Sequence, residues 1–153
     1  MSDSVFNPDL FLSTTTDQTG DTRYTPVPVG EWKAQCKSVS ARRTHSDRTG
    51  LDYTFLELQW TILDEEVRAQ IGIPEPSVRQ SFGLDLTPTG TLDFGKNKNV
   101  RLNRLREAVG QNTPGRSWSP SNLEGQYATV RVVHRVREDT GETLAEVNSV
   151  AAM

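Results

Sequence analysis

The chain has 153 residues, 34% of them hydrophobic, a mean hydropathy of −0.58 and a formal net charge of −3 at pH 7. This length fits one domain that buries a core without staples, and the single cysteine, Cys36, excludes an internal disulfide and a cysteine-rich zinc site. No apolar run approaches the ~18 residues of a membrane span, and the N-terminus lacks the pattern of a signal peptide, so a cytoplasmic protein with no membrane partner is expected.

In chain order, residues 1–25 are rich in Ser, Thr, Asp and Gly and show no sustained period. They read as an acidic arm, loose or pinned to the surface, with Phe6, Leu10, Phe11 and Leu12 as its only apolar handles. Residues 1–30 set Asp3, Asp9, Asp17 and Asp21 against Arg23 alone, whereas residues 31–153 hold 16 basic and 16 acidic side chains. A neutral body still attracts phosphate through a local basic stripe, so net charge does not exclude a polyanionic partner.

The body is expected to span residues 26–153. Glu31–Arg43 alternates, with Trp32, Ala34 and Cys36 opposite Lys33, Gln35 and Lys37. It then slips phase, which predicts a bulge near Lys37-Ser38. Thr44–Gly50 is a hairpin loop, and Tyr53–Leu63 a second strand with Leu56, Leu58, Trp60 and Ile62 on its core face. Asp64–Pro76 reads as an irregular connector. Ser77–Leu86 alternates again, Thr87-Pro88-Thr89-Gly90 is a turn, and Asn97–Val109 is the one convincing helix, stopped by Gly110. Gln126–Arg137 turns Ala128, Val130, Val132, His134 and Val136 one way; after the turn Glu138-Asp139-Thr140-Gly141, Thr143–Val150 closes the chain. Three strands, a helix and two strands, without βαβ alternation, are the order of an all-β, five-stranded oligonucleotide-binding (OB) barrel with its helix between strands 3 and 4.

No catalytic residue, cofactor or metal site is expected. No phosphate-binding GxxxxGK[ST] loop and no GxSxG elbow is present. His45 sits in a basic loop, His134 fits a core or rim position, Cys36 is core, and Asp64-Glu65-Glu66 reads as a solvated loop.

The second strand is more informative. Its outer face presents Tyr53 and Phe55 beside Arg42, Arg43 and Arg48, and rings next to guanidinium groups are what single-stranded nucleic acid requires: bases stack while cations track phosphates. In the expected barrel, Lys33 and Lys37 share that face with Arg131 and Arg135, and Arg137 lies across the opening on the last hairpin. These residues form the candidate nucleic-acid-binding set. The simpler alternatives are rings covered by a loop or helix and cations that protect strand edges. Lys96, Lys98, Arg101, Arg104 and Arg106 make a second cluster around the helix, which a wet helix face balanced by Asp93 and Glu107 would equally explain. Trp118 is expected to cap the barrel.

Pro28-Val29-Gly30-Glu31-Trp32, Ser46-Asp47-Arg48-Thr49-Gly50, Leu123-Glu124-Gly125-Gln126, and Asp139-Thr140-Gly141 leading to Glu146-Val147-Asn148 are arranged in a familiar way. Over about residues 26–150 the chain resembles phage-encoded single-stranded DNA-binding proteins of the OB-fold type. That family shows P-x-G-x-[YW], S-x-[KR]-[ST]-G, a leucine-rich helix and L-x-G before the fourth strand. The resemblance implies non-sequence-specific binding of single-stranded DNA in phage DNA replication or recombination, in the host cytoplasm, through the first hairpin loop and the strand beside it, with replication or recombination proteins and further copies of the chain as candidate partners. Many members end in an acidic recruiting tail; here the sequence ends NSVAAM and the acidic segment is N-terminal. Two rivals stay open: a phage virion structural or assembly protein that uses the barrel as scaffold and the arm as a strap, and an RNA-binding module, since single strands of either kind suit the same platform.

Overall fold

A computed structural model describes residues 5–153; the first four residues of the expected arm, Asp3 among them, lie outside the described residues. The elements run α1 (Pro8–Leu12), β1 (Gly30–His45), β2 (Asp52–Ile62), α2 (Glu65–Ile71), β3 (Ser77–Leu84), α3 (Val100–Ala108), β4 (Tyr127–Val136) and β5 (Thr143–Ala151), with a 3-10 turn at Pro120–Leu123. The sheet closes in the order β1-β2-β3-β5-β4. Neighbours are antiparallel except β3 and β5, which meet in parallel at Arg79 and Glu146. This is the all-β ring expected from the sequence, with α3 between β3 and β4.

Closure depends on β1 serving two neighbours. Gly30–Gln35 pair with Val132–Tyr127 of β4, and Ala34–His45 pair with β2. The register slips between Cys36 and Ser38, so Lys37 is the bulged residue. The sequence phase change marked this place, and a bulge supplies the local twist and bend that a small barrel needs. A second slip, in the β4–β5 ladder, leaves Asn148 without a partner.

The core follows the alternation. Ala34, Leu58, Trp60, Ile62, Leu102, Ala128, Val130 and Val132 are fully buried, with Leu56, Val78, Phe82, Leu105 and Val147 close behind. Trp60 brings a polar atom inside and satisfies it, its indole N–H donating to Gln80 Oε1 at 2.9 Å. This explains why a glutamine occupies an inward position of β3. Leu102 and Leu105 of α3 plug one end of the ring, as an apolar i, i+3 pair on a short amphipathic helix should.

A barrel with one helix is too simple a description. The expected connector Asp64–Pro76 contains α2: the Asp64 carboxylate accepts from Glu66 N and Val67 N at 3.0 and 3.2 Å, and Gly72 ends the helix at φ 78°. That is a capped helix of about two turns, and the two prolines that follow it, Pro74 and Pro76, obscured it. In the arm, Asn7 caps α1 and Pro8 occupies its first turn. The third helix is shorter than Asn97–Val109 because Asn97 and Asn99 adopt positive φ, 64° and 51°. Asn99 is only 4% exposed; its Oδ1 accepts from Asp85 N at 2.8 Å, and its Nδ2 donates to Asp85 O and Asp93 O at 2.8 and 2.9 Å. These bonds tie the start of α3 to the end of β3 and offset an unfavourable backbone.

Val136, in phase with the inward residues of β4, is exposed because β4 outruns β1 there; His134 takes the rim alternative, its Nε2 2.7 Å from Val27 O. No helix among the described residues is long and apolar enough to cross a membrane.

Candidate nucleic-acid interface

The β1–β2 hairpin is built by its loop sequence. Ser46 N donates to Leu51 O at 2.9 Å, Gly50 N donates to Ser46 O at 2.7 Å, and Ser46 Oγ accepts from Thr49 N at 3.4 Å. Gly50 stands at φ 71°, where a side chain is costly, which accounts for glycine ending the Ser-x-Arg-Thr-Gly run. Tyr53 leans back on this loop, its hydroxyl 3.2 Å from Thr49 Oγ1.

The register then sets the rings. Phe55 lies opposite Arg42 on one side and Gly83 on the other. The Arg42 guanidinium sits 4.9 Å from the Phe55 ring centroid and is fixed by a 2.7 Å bond from Nε to Glu57 Oε1. On the other side there is no side chain, and a Cβ built on Gly83 would meet nothing within 4 Å. Tyr53, Phe55 and Gly83 therefore line a cleft of about 580 Å³, walled by Arg43 and Asp52 of the hairpin and by Asp85–Gly90 after β3. An exposed or half-buried ring with one flank open is a stacking platform.

Arg42 and Arg43 do not act together, because neighbouring residues of a strand face opposite ways. Arg43 Nη2 lies 3.6 Å from Asp52 Oδ2, while His45 Nδ1 lies 2.7 Å from Asp52 Oδ1. The His45 bond, then the charge of Arg43, holds the Asp52 carboxyl below its usual range. The cleft is thus aromatic and close to neutral at its mouth.

The other expected cations do not gather on this face. Lys33 pairs with Thr129 of β4, nine residues before Arg42, a contour of about 30 Å along β1. Lys37, in the bulge, reaches Glu75 at 3.5 Å. Arg131 stands between Glu31 and Ser149, Arg135 donates to Glu146 at 2.7 Å, and Arg137 holds Asp139 at 2.8 Å. The expected convergence on Tyr53 and Phe55 is corrected accordingly: β1 bends at its bulge and carries its first half to β4. Among the described residues, Lys33, Arg48 and Arg131 form no ion pair, and only Arg48 shares the hairpin with the rings.

Sequence reasoning missed Gly83. The signal was there, since a glycine inside a regular strand pattern marks close approach or open space. It also placed Arg106 among the helix cations, but Arg106 is 8% exposed, packed 4.2 Å from the Trp118 ring centroid. Burial lowers the pKa of its guanidinium. Trp118 donates from Nε1 to Gln111 Oε1 at 2.8 Å and packs, partly buried, against the core.

The residues with chemical potential elsewhere are spent structurally. Cys36 is 1% exposed, and burial pushes its thiol up to about 11, so it is no nucleophile near neutrality. No cluster of three or more His, Cys, Asp or Glu suited to a metal occurs among the described residues. The Pro-x-Gly-x-Trp motif is also structural: Trp32 Nε1 donates to Pro28 O at 2.9 Å, and its ring folds over Gly30, where a Cβ would lie 2.6 Å away. The Leu-x-Gly motif buries Leu123 and uses Gly125 N to donate to Cys36 O at 2.7 Å. No protein-family model matches the chain, and no curated protein matches it either.

Proposed function

We propose that this chain binds single-stranded DNA with little sequence preference and without catalysis, in the cytoplasm, in the manner of a phage replication or recombination protein. Bases enter the cleft between the β1–β2 hairpin and the turn after β3. One stacks on Phe55, and Tyr53 extends the platform toward the loop. The observation that carries this function is the Phe55 ring itself, backed by Arg42 at 4.9 Å and left open toward Gly83. A ring serving only the core would be covered on both flanks. Stacking gives affinity without base identity, because every base has a π-face.

The test is fluorescence anisotropy of labelled oligo-dT against salt. Sub-micromolar binding that weakens with salt is expected; micromolar or weaker binding with no salt slope refutes the proposal. Matched RNA as competitor separates DNA from RNA preference.

One observation favours a structural or assembly role instead. The α1 segment carries Phe6, Leu10, Phe11 and Leu12 at 61–80% exposure, with Phe6 and Phe11 packed on each other at 5.4 Å. Size-exclusion chromatography with and without residues 1–25 discriminates: a large homo-oligomer that needs the arm and ignores DNA is the signature of assembly.

A further inference from the structure

The cleft poses an electrostatic problem. Its cations are already matched, Arg42 by Glu57 and Arg43 by Asp52, so the cleft offers rings but little unpaired positive charge. The opposite condition holds around α3. Lys96, Lys98, Arg101 and Arg104 are exposed, and none of them forms an ion pair among the described residues. The two carboxylates expected to balance them each make another hydrogen bond. Asp93 Oδ1 accepts from Gly95 N at 2.8 Å, and Glu107 Oε1 accepts from Asn112 Nδ2 at 3.4 Å. Neither carboxylate forms an ion pair with these cations among the described residues.

The start of α3 is tied to the cleft wall. Asp85 lines the cleft wall and is hydrogen-bonded to Asn99, which sits between Lys98 and the first turn of α3. Arg101 and Arg104, one turn further on, flank a small recess against Gln80 and Asn148–Val150 at the β3–β5 seam. Arg101 is partly fixed there, donating from Nη2 to Asn148 O at 3.2 Å.

Resting on the single-strand reading, we infer that this α3 surface is a second contact region for the same strand: bases stack at Phe55, and the phosphate backbone leaves the cleft beside the turn after β3 and runs across Lys96, Lys98, Arg101 and Arg104. The division is physically economical. Rings supply stacking that tolerates any base, while phosphates are held by exposed cations that release counterions. An acidic protein partner would suit the same charges, but the tie of the start of α3 to the cleft wall through Asp85 and Asn99 favours the strand.

The experiment compares oligo-dT of about 4 nucleotides, enough for the cleft, with about 16 nucleotides, the upper range for one OB barrel. Two variants are titrated against salt: Lys96→Gln with Lys98→Gln, and Arg101→Gln with Arg104→Gln. The first pair keeps the test intact should loss of Arg101 disturb the seam, and melting curves check both. On the long oligonucleotide each variant should lower the slope of log K against log salt by about 1.4, two phosphate contacts at ~0.7 each. On the short one both should match the wild type. Unchanged slopes on the long oligonucleotide, with wild-type binding intact, overturn the second region alone and leave the patch to an acidic protein. A wild type that binds neither length overturns the cleft and the patch together.

Discussion

The two ends of β2 do opposite things with the same alternation. Toward its C-terminal end, Leu58, Trp60, Thr61 and Ile62 are all buried, so both faces of the strand are covered. Toward its N-terminal end, Tyr53 is 40% exposed and Phe55 is half-buried beside Gly83. An aromatic residue in the first region holds the fold, and one in the second is free to hold something else. What decides between them is not the ring but the neighbouring strand: β3 puts Gln80 and Val78 near Trp60, and a bare glycine against Phe55.

The largest effect that separates the regions is on stability. Trp60→Ala empties a fully buried site and leaves Gln80 Oε1 without its donor, so a loss of about 3–5 kcal/mol is expected, measured by urea or thermal unfolding. A small loss there would break the contrast outright. At the other end, Phe55→Ala should weaken oligo-dT binding by about 1–3 kcal/mol while the melting temperature moves little. If instead the protein melts early and binds normally when folded, the ring is structural.

Gly83→Val sharpens the contrast, because it adds bulk without removing any contact. The space above Gly83 is open and its backbone carries no positive φ, so the variant should fold normally. Affinity for oligo-dT should fall about tenfold, or about 1.4 kcal/mol, as the new side chain fills the open flank of Phe55. The smallest effect concerns the hairpin. Asp52 has a lowered carboxyl pKa in the fold, so its contribution is present above the ordinary value of 3.8 and is lost as pH falls through the folded value. Amide protection at Thr44 and Tyr53, taken relative to the intrinsic exchange rate at each pH, should fall over that acid window in the wild type and not in Asp52→Asn.

Much of the fold was legible because the signals were local and periodic. The bulge at Lys37 appeared as a phase slip, the strands as alternation, and the α3 plug as Leu102 and Leu105 one turn apart. The helix α2 was hidden ahead of Pro74 and Pro76, although Asp64 and Gly72 are ordinary start and stop residues. Of the candidate interface, the rings and the Ser46–Gly50 loop were legible, since hairpin neighbours are neighbours in sequence. The gathering of Lys33, Arg131 and Arg135 around them was not a sound expectation. Alternation tells which face a residue occupies but not where around a coiled barrel that face points.

By itself, then, the sequence determined the order of the strands and of α3, most of the inward residues and the presence of rings beside a basic loop, all consequences of side-chain period and turn chemistry. Only the tertiary structure decided which cations are spent. Arg42, Arg43, Arg135, Arg137 and Lys37 each meet a carboxylate, while the α3 cations meet none among the described residues. Pairing across strands depends on register and on the bend of β1, and an ion pair between residues 11 or 15 positions apart leaves no periodic trace in the chain.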